Sequence, residues 1–540
     1  MSVPYNLFMQ RRDLLKFSAL SASFGLLSGK ISSNVKGGSF KHGVASGDPT
    51  HKYVILWTRV TPKAPGSILV TLEVSSNNKF NDIVYKKRLY TDPIRDYTIK
   101  HDFNAGLYFD QGQSFYFRFK CGDSFSDIGR SQTFPKLDVR FACLSCSNYP
   151  TGFFNAYEAC ANENLDFWLH LGDYLYEYSD KGYGTENASK LNRVPEPSHE
   201  IVTLGDYRTR HSQYKLDEGS KKLHAFAPLI PIWDDHEFAN DAWMRGAENH
   251  AFDGSEGTFL KRRAAAIKAY MEWMPIREHK NKRKIYRQFK NPIINLMMLD
   301  TRQFGRDEQI KPLNYLENGR FDRTAFFEKL HDKERQLLGK KQLAWIDKNL
   351  RQNSSTWVVA GQQILMTKVK FPKIKDLLDG RNPPQWLEKF LPLQNEDIPS
   401  NLDAWDGYPA ARSSLYDLFK RSNISLISLA GDTHNSWVSN LKDDVGDPIG
   451  FELGTPSVTS PGVADSLNID PKKLENGIKE NSAEIAWMDA KYRGYLICKA
   501  SNKRFTAQFK FIDTITKKKF NVIDGPMFEA STGNRNISRL

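Results

Sequence analysis

Asp166-Phe167-Trp168-Leu169-His170-Leu171-Gly172-Asp173-Tyr174-Leu175-Tyr176 is the stretch on which the fold turns. Its apolar run has the length of a strand buried on both faces, and it stops at a glycine and an acid. The pattern recurs along the chain. Phe141-Ala142-Cys143-Leu144 stops at Ser145-Cys146-Ser147-Asn148, and Leu229-Ile230-Pro231-Ile232-Trp233 stops at Asp234-Asp235-His236. Ile294–Leu299 stops at Asp300-Thr301-Arg302, Trp357–Ala360 at Gly361-Gln362-Gln363, and Ile424–Leu429 at Gly431-Asp432-Thr433-His434. The internal Pro231 makes its strand the least regular of the set. Helical stretches such as Arg262–Trp273 and Lys340–Arg351 separate some of the strands. Ligands of α/β sheets gather at the carboxyl ends of strands. Residues 138–525 therefore predict one large α/β domain with a single site fed by several strand ends. A hairpin of Arg504–Ile512 and Lys519–Ile523 closes it, and 526–540 is expected to be a polar tail.

Upstream, residues 38–136 read as a small all-β unit. Val54–Thr58, Ile68–Val74 and Ser114–Phe119 are β-branched or aromatic runs, punctuated by Asp48-Pro49, Ala64-Pro65-Gly66 and Gly122-Asp123. A sandwich of immunoglobulin or fibronectin type III kind is expected. Residues 1–34 read as an address: Gln10-Arg11-Arg12-Asp13-Leu14-Leu15-Lys16 precedes a short, diluted apolar run, Phe17–Leu27, the arrangement of a twin-arginine export signal. Engagement of the twin-arginine export machinery and a periplasmic or extracellular location are expected.

Composition sets the outer limits. The 540 residues are 40% hydrophobic and 12% aromatic, enough for a sizeable core and too apolar for a disordered chain. No run reaches the ~20 apolar residues of a membrane-spanning helix. Five cysteines, Cys121, Cys143, Cys146, Cys160 and Cys498, are too sparse for a disulfide scaffold. The net charge of +13 suits anionic substrates or surfaces, and it equally suits a solvated basic surface. Lys517-Lys518-Lys519 reads as a turn, and no specific nucleic-acid partner is expected.

The strand ends offer Cys146, Asp173, Tyr176, Asp234, Asp235, His236, Asn240, Asp432 and His434. Singly, each has an ordinary structural explanation, such as a helix cap or a buried thiol. Together, converging carboxylates would repel one another and be costly to bury, and multivalent cations relieve both costs. Thiolate, phenolate and carboxylate suit a highly charged iron, and Asp-rich positions favour Ca²⁺, Mg²⁺ or Mn²⁺. A mixed centre bridged by Asp173 would bind a phosphate and activate a water. His236 would protonate the leaving alkoxide. Cys143 and Cys146 lie three apart on an extended strand and point to opposite faces, which argues against a C-x-x-C pair.

Gly172-Asp173-Tyr174-Leu175-Tyr176, Trp233-Asp234-Asp235-His236-Glu237 and Gly431-Asp432-Thr433-His434 resemble the metal-binding blocks of the alkaline phosphatase D (PhoD) family. Gly43–Pro49, Ser145–Tyr149, Leu299–Gln303 and Asp403–Tyr408 resemble further blocks of that family. The resemblance implies a calcineurin-like metallophosphoesterase core of α/β (α+β sandwich) type behind a fibronectin-like domain. It implies Fe³⁺ and Ca²⁺, with phosphomonoesterase and phosphodiesterase activity on small phosphate esters. The Gly-Asp-x-x-Tyr block is also similar to that of purple acid phosphatases. By this match Cys146, Asp173, Tyr176 and His434 would hold iron; Asp173, Asp234, Asp235, Asn240 and Asp432 are the candidates for calcium. Many relatives carry Asn-Asn at Asn240-Asp241, so Asp241 competes with Asn240. Arg302 is the candidate for holding phosphate, with a structural ion pair as its alternative. Two other readings stand beside this one: a dedicated phosphodiesterase, nuclease or phospholipase whose pocket is shaped by the insert Thr367–Asp406, and a non-catalytic surface-binding protein.

Overall fold

A computed structural model describes residues 37–281 and 284–540; the export-signal reading of 1–34 lies outside the described residues. Two large sheets face each other. A ten-stranded sheet contains Val139–Leu144, Phe167–His170 and Leu229–Pro231 as parallel neighbours, and a seven-stranded sheet contains Ile294–Met298, Trp357–Gly361, Leu426–Ala430 and Pro448–Gly454, also parallel. All six strands expected before the polar clusters are present.

Their apolar runs are continuous because each strand is covered on both sides. On Ile294–Met298, Ile294, Leu296 and Met298 join Phe141, Leu169, Val359 and Leu429 in the core between the sheets. Met297 turns outward against Ile346 and Leu350 of the helix Lys340–Arg351 and Leu415 and Phe419 of the helix Pro409–Arg421. The layers therefore stack helix, sheet, sheet, helix, with mixed α/β composition.

Pro231 is tolerated for a local reason. Only Leu229 of its strand pairs with the next strand, Val44–Gly47, so the amide hydrogen that Pro231 lacks has no partner to miss. Its carbonyl accepts from Arg287 Nη2 at 2.7 Å.

The N-terminal unit is built of β-strands, as read for 38–136, and it shares a sheet with the rest of the chain. One of its layers is a five-stranded antiparallel sheet that includes Ile68–Ser75, Ile83–Thr91 and Ser114–Cys121. The facing layer, Val44–Gly47, Tyr53–Arg59 and Thr98–Asn104, is the far end of the ten-stranded sheet. The block Gly43–Pro49 makes this join. A Cβ on Gly47 would lie 2.2 Å from Pro275 O and 2.6 Å from Leu229 O, so only glycine fits. The buried Asp48, at φ 46°, accepts from Arg287 Nη2 at 2.7 Å and from the Arg277 amide at 2.7 Å.

The C-terminus differs from the expected polar tail. Residues 526–540 are not a peripheral tail: Val522–Ser531 pairs along Arg504–Ile512, and Ser538–Arg539 adds the edge strand. Phe528 and Ile537 are buried there. Among the described residues no helix is long and apolar enough to cross a membrane.

Candidate metal centre

The strand ends meet in one place. Ligand atoms of Cys146, Asp173 and His434 lie within 4.8 Å of one another; so do those of Asp173, Asp235 and His236, and those of Asp234, Asp235 and Asp432. Ligand bonds of ~2.0–2.4 Å to a shared ion require separations of this size. Asp173 and Asp235 each belong to two groups, so the three groups form one connected cluster.

The turns that bring them together are strained. Cys146, Asp173, Asp432 and His434 all have positive φ, between 54° and 64°. Side chains in this region cost backbone energy, and such positions collect at functional sites. Two buried side chains fasten the turns. Glu237 Oε2 accepts from the amides of Asp173 (3.0 Å) and Asp234 (2.6 Å), and its Oε1 accepts from Tyr174 N (2.6 Å). Gln363 donates to the carbonyls of Trp233 (2.8 Å) and Leu299 (3.0 Å) while accepting from Thr301 N (3.2 Å). Glu237 lies in a block singled out in the sequence, but nothing local marks it as a staple between strand ends.

On one side, Tyr176 Oη donates to Asp173 Oδ2 at 3.1 Å and accepts from Ser460 Oγ at 2.7 Å. His434 Nδ1 donates to Pro461 O at 2.7 Å, which leaves the Nε2 lone pair turned toward Tyr176 Oη, 3.2 Å away. Burial pushes the Cys146 thiol and the Tyr176 phenol well above their usual ranges, and the Asp173 carboxylate adds to both. Burial holds His434 neutral, down to about 3. Cys143 faces elsewhere, beside Cys498, and all five cysteines are free.

On the other side stand the acids. Burial raises Asp234 well above the carboxylate range and Asp432 to about 7, Arg302 opposing both shifts. Asp173 is likewise raised, by burial and then by Asp235 and Asp234. Asp235 is also buried, but Arg302 and His236 outweigh that and keep it ionised. Burial disfavours a charge on His236, but Glu177, Asp235 and Asp173 overcome this and raise it well above the imidazole range.

Arg302 is not placed to hold a substrate phosphate. It is 0% exposed, its Nε donates to Asp234, Nη1 lies 2.7 Å from Asp403 and Nη2 lies 3.2 Å from Asp432. A guanidinium enclosed by carboxylates is the structural ion pair of the alternative reading, and Arg306 adds a second guanidinium on Asp403. Asn240 directs its Nδ2 to Glu248 at 3.2 Å, toward solvent. Asp241 instead is raised to about 8 by burial and by the neighbouring Asp403 and Asp235 carboxylates, so its carboxyl stands among the acids. Its amide donates to Asp235 Oδ2 at 2.6 Å.

The donor set fits cations. Asp173 Oδ1, Asp234 Oδ2 and Asp235 Oδ1 are buried acceptors with no hydrogen-bond partner among the described residues, a costly arrangement for protein alone.

Two facing sheets with carboxylates, a thiol, a phenol and an imidazole at the ends of their parallel strands fit a metal-dependent phosphoric ester hydrolase. Comparison with known proteins agrees. The chain belongs to the PhoD-like phosphatase family, whose model matches residues 141–509, with the N-terminal-domain model of the same family matching 27–135. It is 32% identical over 521 residues to alkaline phosphatase D of Bacillus subtilis (strain 168), covering 92% of this chain and 82% of that protein. A solved structure of PhoD is similar with a TM-score of 0.77 and 28% identity, over 94% of this chain and 92% of that one.

Proposed function

We propose that the chain is an exported phosphatase that hydrolyses phosphomonoesters and phosphodiesters at a mixed iron–calcium centre. Cys146, Asp173, Tyr176 and His434 would hold the iron. Asp173, Asp234, Asp235, Asp241 and Asp432 would hold calcium, with Asp241 preferred to Asn240 for its place among the acids. The orphaned oxygens Asp173 Oδ1 and Asp234 Oδ2 carry this reading, because no hydrogen bond from the described residues meets them. A soft thiolate, an imidazole and a phenolate on one side and carboxylates alone on the other argue for two kinds of ion. When bound, such ions supply charge for the phosphoryl oxygens and acidify a water.

The chain's own residues do the rest. Asp432 and His236 retain 17% and 9% side-chain exposure, so the ester reaches the cluster past them. His236 Nδ1 is held by Glu177, and Nε2 supplies the proton to the leaving oxygen. Arg302 restrains Asp234, Asp403 and Asp432 and keeps the acids from spreading apart by repulsion. Purified protein is expected to hydrolyse p-nitrophenyl phosphate at alkaline pH and bis-p-nitrophenyl phosphate more slowly. A diester rate that exceeds the monoester rate would instead favour the dedicated phosphodiesterase, and absence of turnover on both would favour the binding protein.

A further inference from the structure

We propose that the outer face of the N-terminal five-stranded sheet is a docking surface for a membrane rich in anionic lipid headgroups. The face lies outside the strand-end cluster, and the inference does not depend on the metal assignment. Strand alternation sorts its side chains. Val70, Leu72, Val74, Phe115, Phe117 and Phe119 enter the core of the unit, and their neighbours in sequence point the other way. Sheet register then arranges the outer residues in rows. Arg88 stands beside Thr71, Thr71 beside Lys120, and Lys120 beside Phe125. In the adjacent row Lys86 stands beside Glu73, and Glu73 beside Arg118. Strands lie ~4.8 Å apart and alternate residues ~7 Å apart, so four cations share a patch of ~10 Å by ~7 Å.

One carboxylate answers them. Glu73 is buried and takes both Lys86, at 2.8 Å, and Arg118, at 2.9 Å. Among the described residues Arg88 and Lys120 have no ionic partner. Like charges gathered on neighbouring strands cost a sheet stability, so folding alone does not favour this arrangement. Apolar groups stand among the cations. Tyr90, two residues past Arg88 on the same side, is 67% exposed, and Phe125 is 46% exposed. The Phe125 ring centroid lies 4.3 Å from the Arg118 guanidinium carbon and 5.1 Å from Lys120 Nζ. The Phe80 ring lies 4.1 Å from the same guanidinium carbon, so two rings brace Arg118.

The charge calls for an anionic partner, and the shape selects among them. A single polyanionic strand is bound along a charged groove. This face is an open pleated surface, with exposed rings beside the cations Arg88 and Lys120. A lipid bilayer meets it as a plane: anionic headgroups draw in Lys and Arg, and aromatic rings settle at headgroup level. The metal-loaded chain is expected to sediment at low salt with phosphatidylcholine vesicles containing about one third phosphatidylglycerol, and not with phosphatidylcholine alone. Salt of ~0.5 M, which shortens the reach of charge to a few ångströms, should release it. Each cation near such a surface strengthens binding ~5-fold, so Arg88→Gln with Lys120→Gln should weaken it ~25-fold. Tyr90→Ser should weaken it ~5-fold. Melting temperature and turnover of p-nitrophenyl phosphate in solution should be unchanged in these variants. Lys517→Gln with Lys519→Gln removes the same charge from the C-terminal hairpin and should alter binding by less than about twofold.

Absence of sedimentation with the anionic vesicles overturns the proposal. So does an equal loss in the Lys517 and Lys519 control, which would assign binding to net charge and not to this face. Dextran sulfate that binds the chain more tightly than the vesicles, with the same dependence on Arg88 and Lys120, would place a soluble polyanion there and overturn the lipid assignment. If the Arg88 and Lys120 double variant does not fold, Arg88→Gln alone decides: a ~5-fold loss supports the face, and unchanged binding contradicts it.

Discussion

The two halves of the cluster solve the same electrostatic problem differently. Around Cys146, Tyr176 and His434 no protein cation takes part in the hydrogen bonds: Tyr176 is bonded to Asp173 and Ser460, and the His434 imidazole to the Pro461 carbonyl. Around Asp234, Asp235 and Asp432 the chain supplies its own cation, Arg302, with Arg306 behind it on Asp403. On the proposed assignment the first half would take its charge balance from a bound ion. The second is part-balanced by protein, so its ion should exchange more freely, and the folded chain should better tolerate losing it.

The sharpest break of this contrast is Asp173, which belongs to the ligand groups of both Cys146 and Asp235. Asp173→Asn is expected to lower kcat/KM by ~10³-fold or more, since ions at such sites supply several kcal/mol and each ~1.4 kcal/mol is tenfold. Metal analysis should find both ions depleted; loss of one alone would mean that Asp173 is no bridge.

Arg302→Met probes the second half. It leaves Asp234 and Asp432 without their cation while Asp403 keeps Arg306, and breaking a buried ion pair costs ~3–5 kcal/mol. Urea unfolding in chelator should reveal this loss, and millimolar Ca²⁺ should recover part of it. Equal losses with and without Ca²⁺ would show that arginine and metal do not share the task.

Within that half, Asp241→Asn should weaken calcium affinity by ~10–100-fold, while Asn240→Ala changes it little, as calcium titration of each variant will show. The reverse order restores Asn240 as the ligand.

The smallest effect is on stability against pH. In metal-free protein the folded-state value of Asp432 is raised from 3.8 to about 7. Its folded form holds a proton that the unfolded form has released, so its contribution is fully present below about 4 and is lost as pH rises toward 7. Thermal melting of chelated protein should decline over that window, and added Ca²⁺ should flatten the decline.

Much of this site was legible because its residues sit at a repeated local signal, an apolar run ending at Gly-Asp or its equivalents. Six runs announced six strands and the convergence of Cys146, Asp173, Tyr176, Asp234, Asp235, Asp432 and His434. What was hidden depends on partners far apart in the chain. Arg302 reads as a phosphate ligand until Asp234, Asp403 and Asp432 are seen around it. Glu177 is one residue past a visible motif, and its meaning comes from His236 and Asn249. The strand Val522–Ser531 was masked by Gly525-Pro526, which lies mid-strand where the pairing with Arg504–Ile512 shifts register and a missing amide is tolerated. The continuity of Val44–Gly47 with the ten-stranded sheet rests on a single residue pair, Leu229 with Gly47, too brief to leave a pattern.

On the proposed assignment a thiol, a phenol, an imidazole and acids from distant segments clasp iron beside calcium. Elemental analysis of purified, active protein alongside Cys146→Ala tests it most directly. Iron and calcium are expected together in the active chain, and the Cys146→Ala chain should keep calcium but lose iron and activity. Full activity in protein free of iron, or iron content indifferent to Cys146, would contradict it.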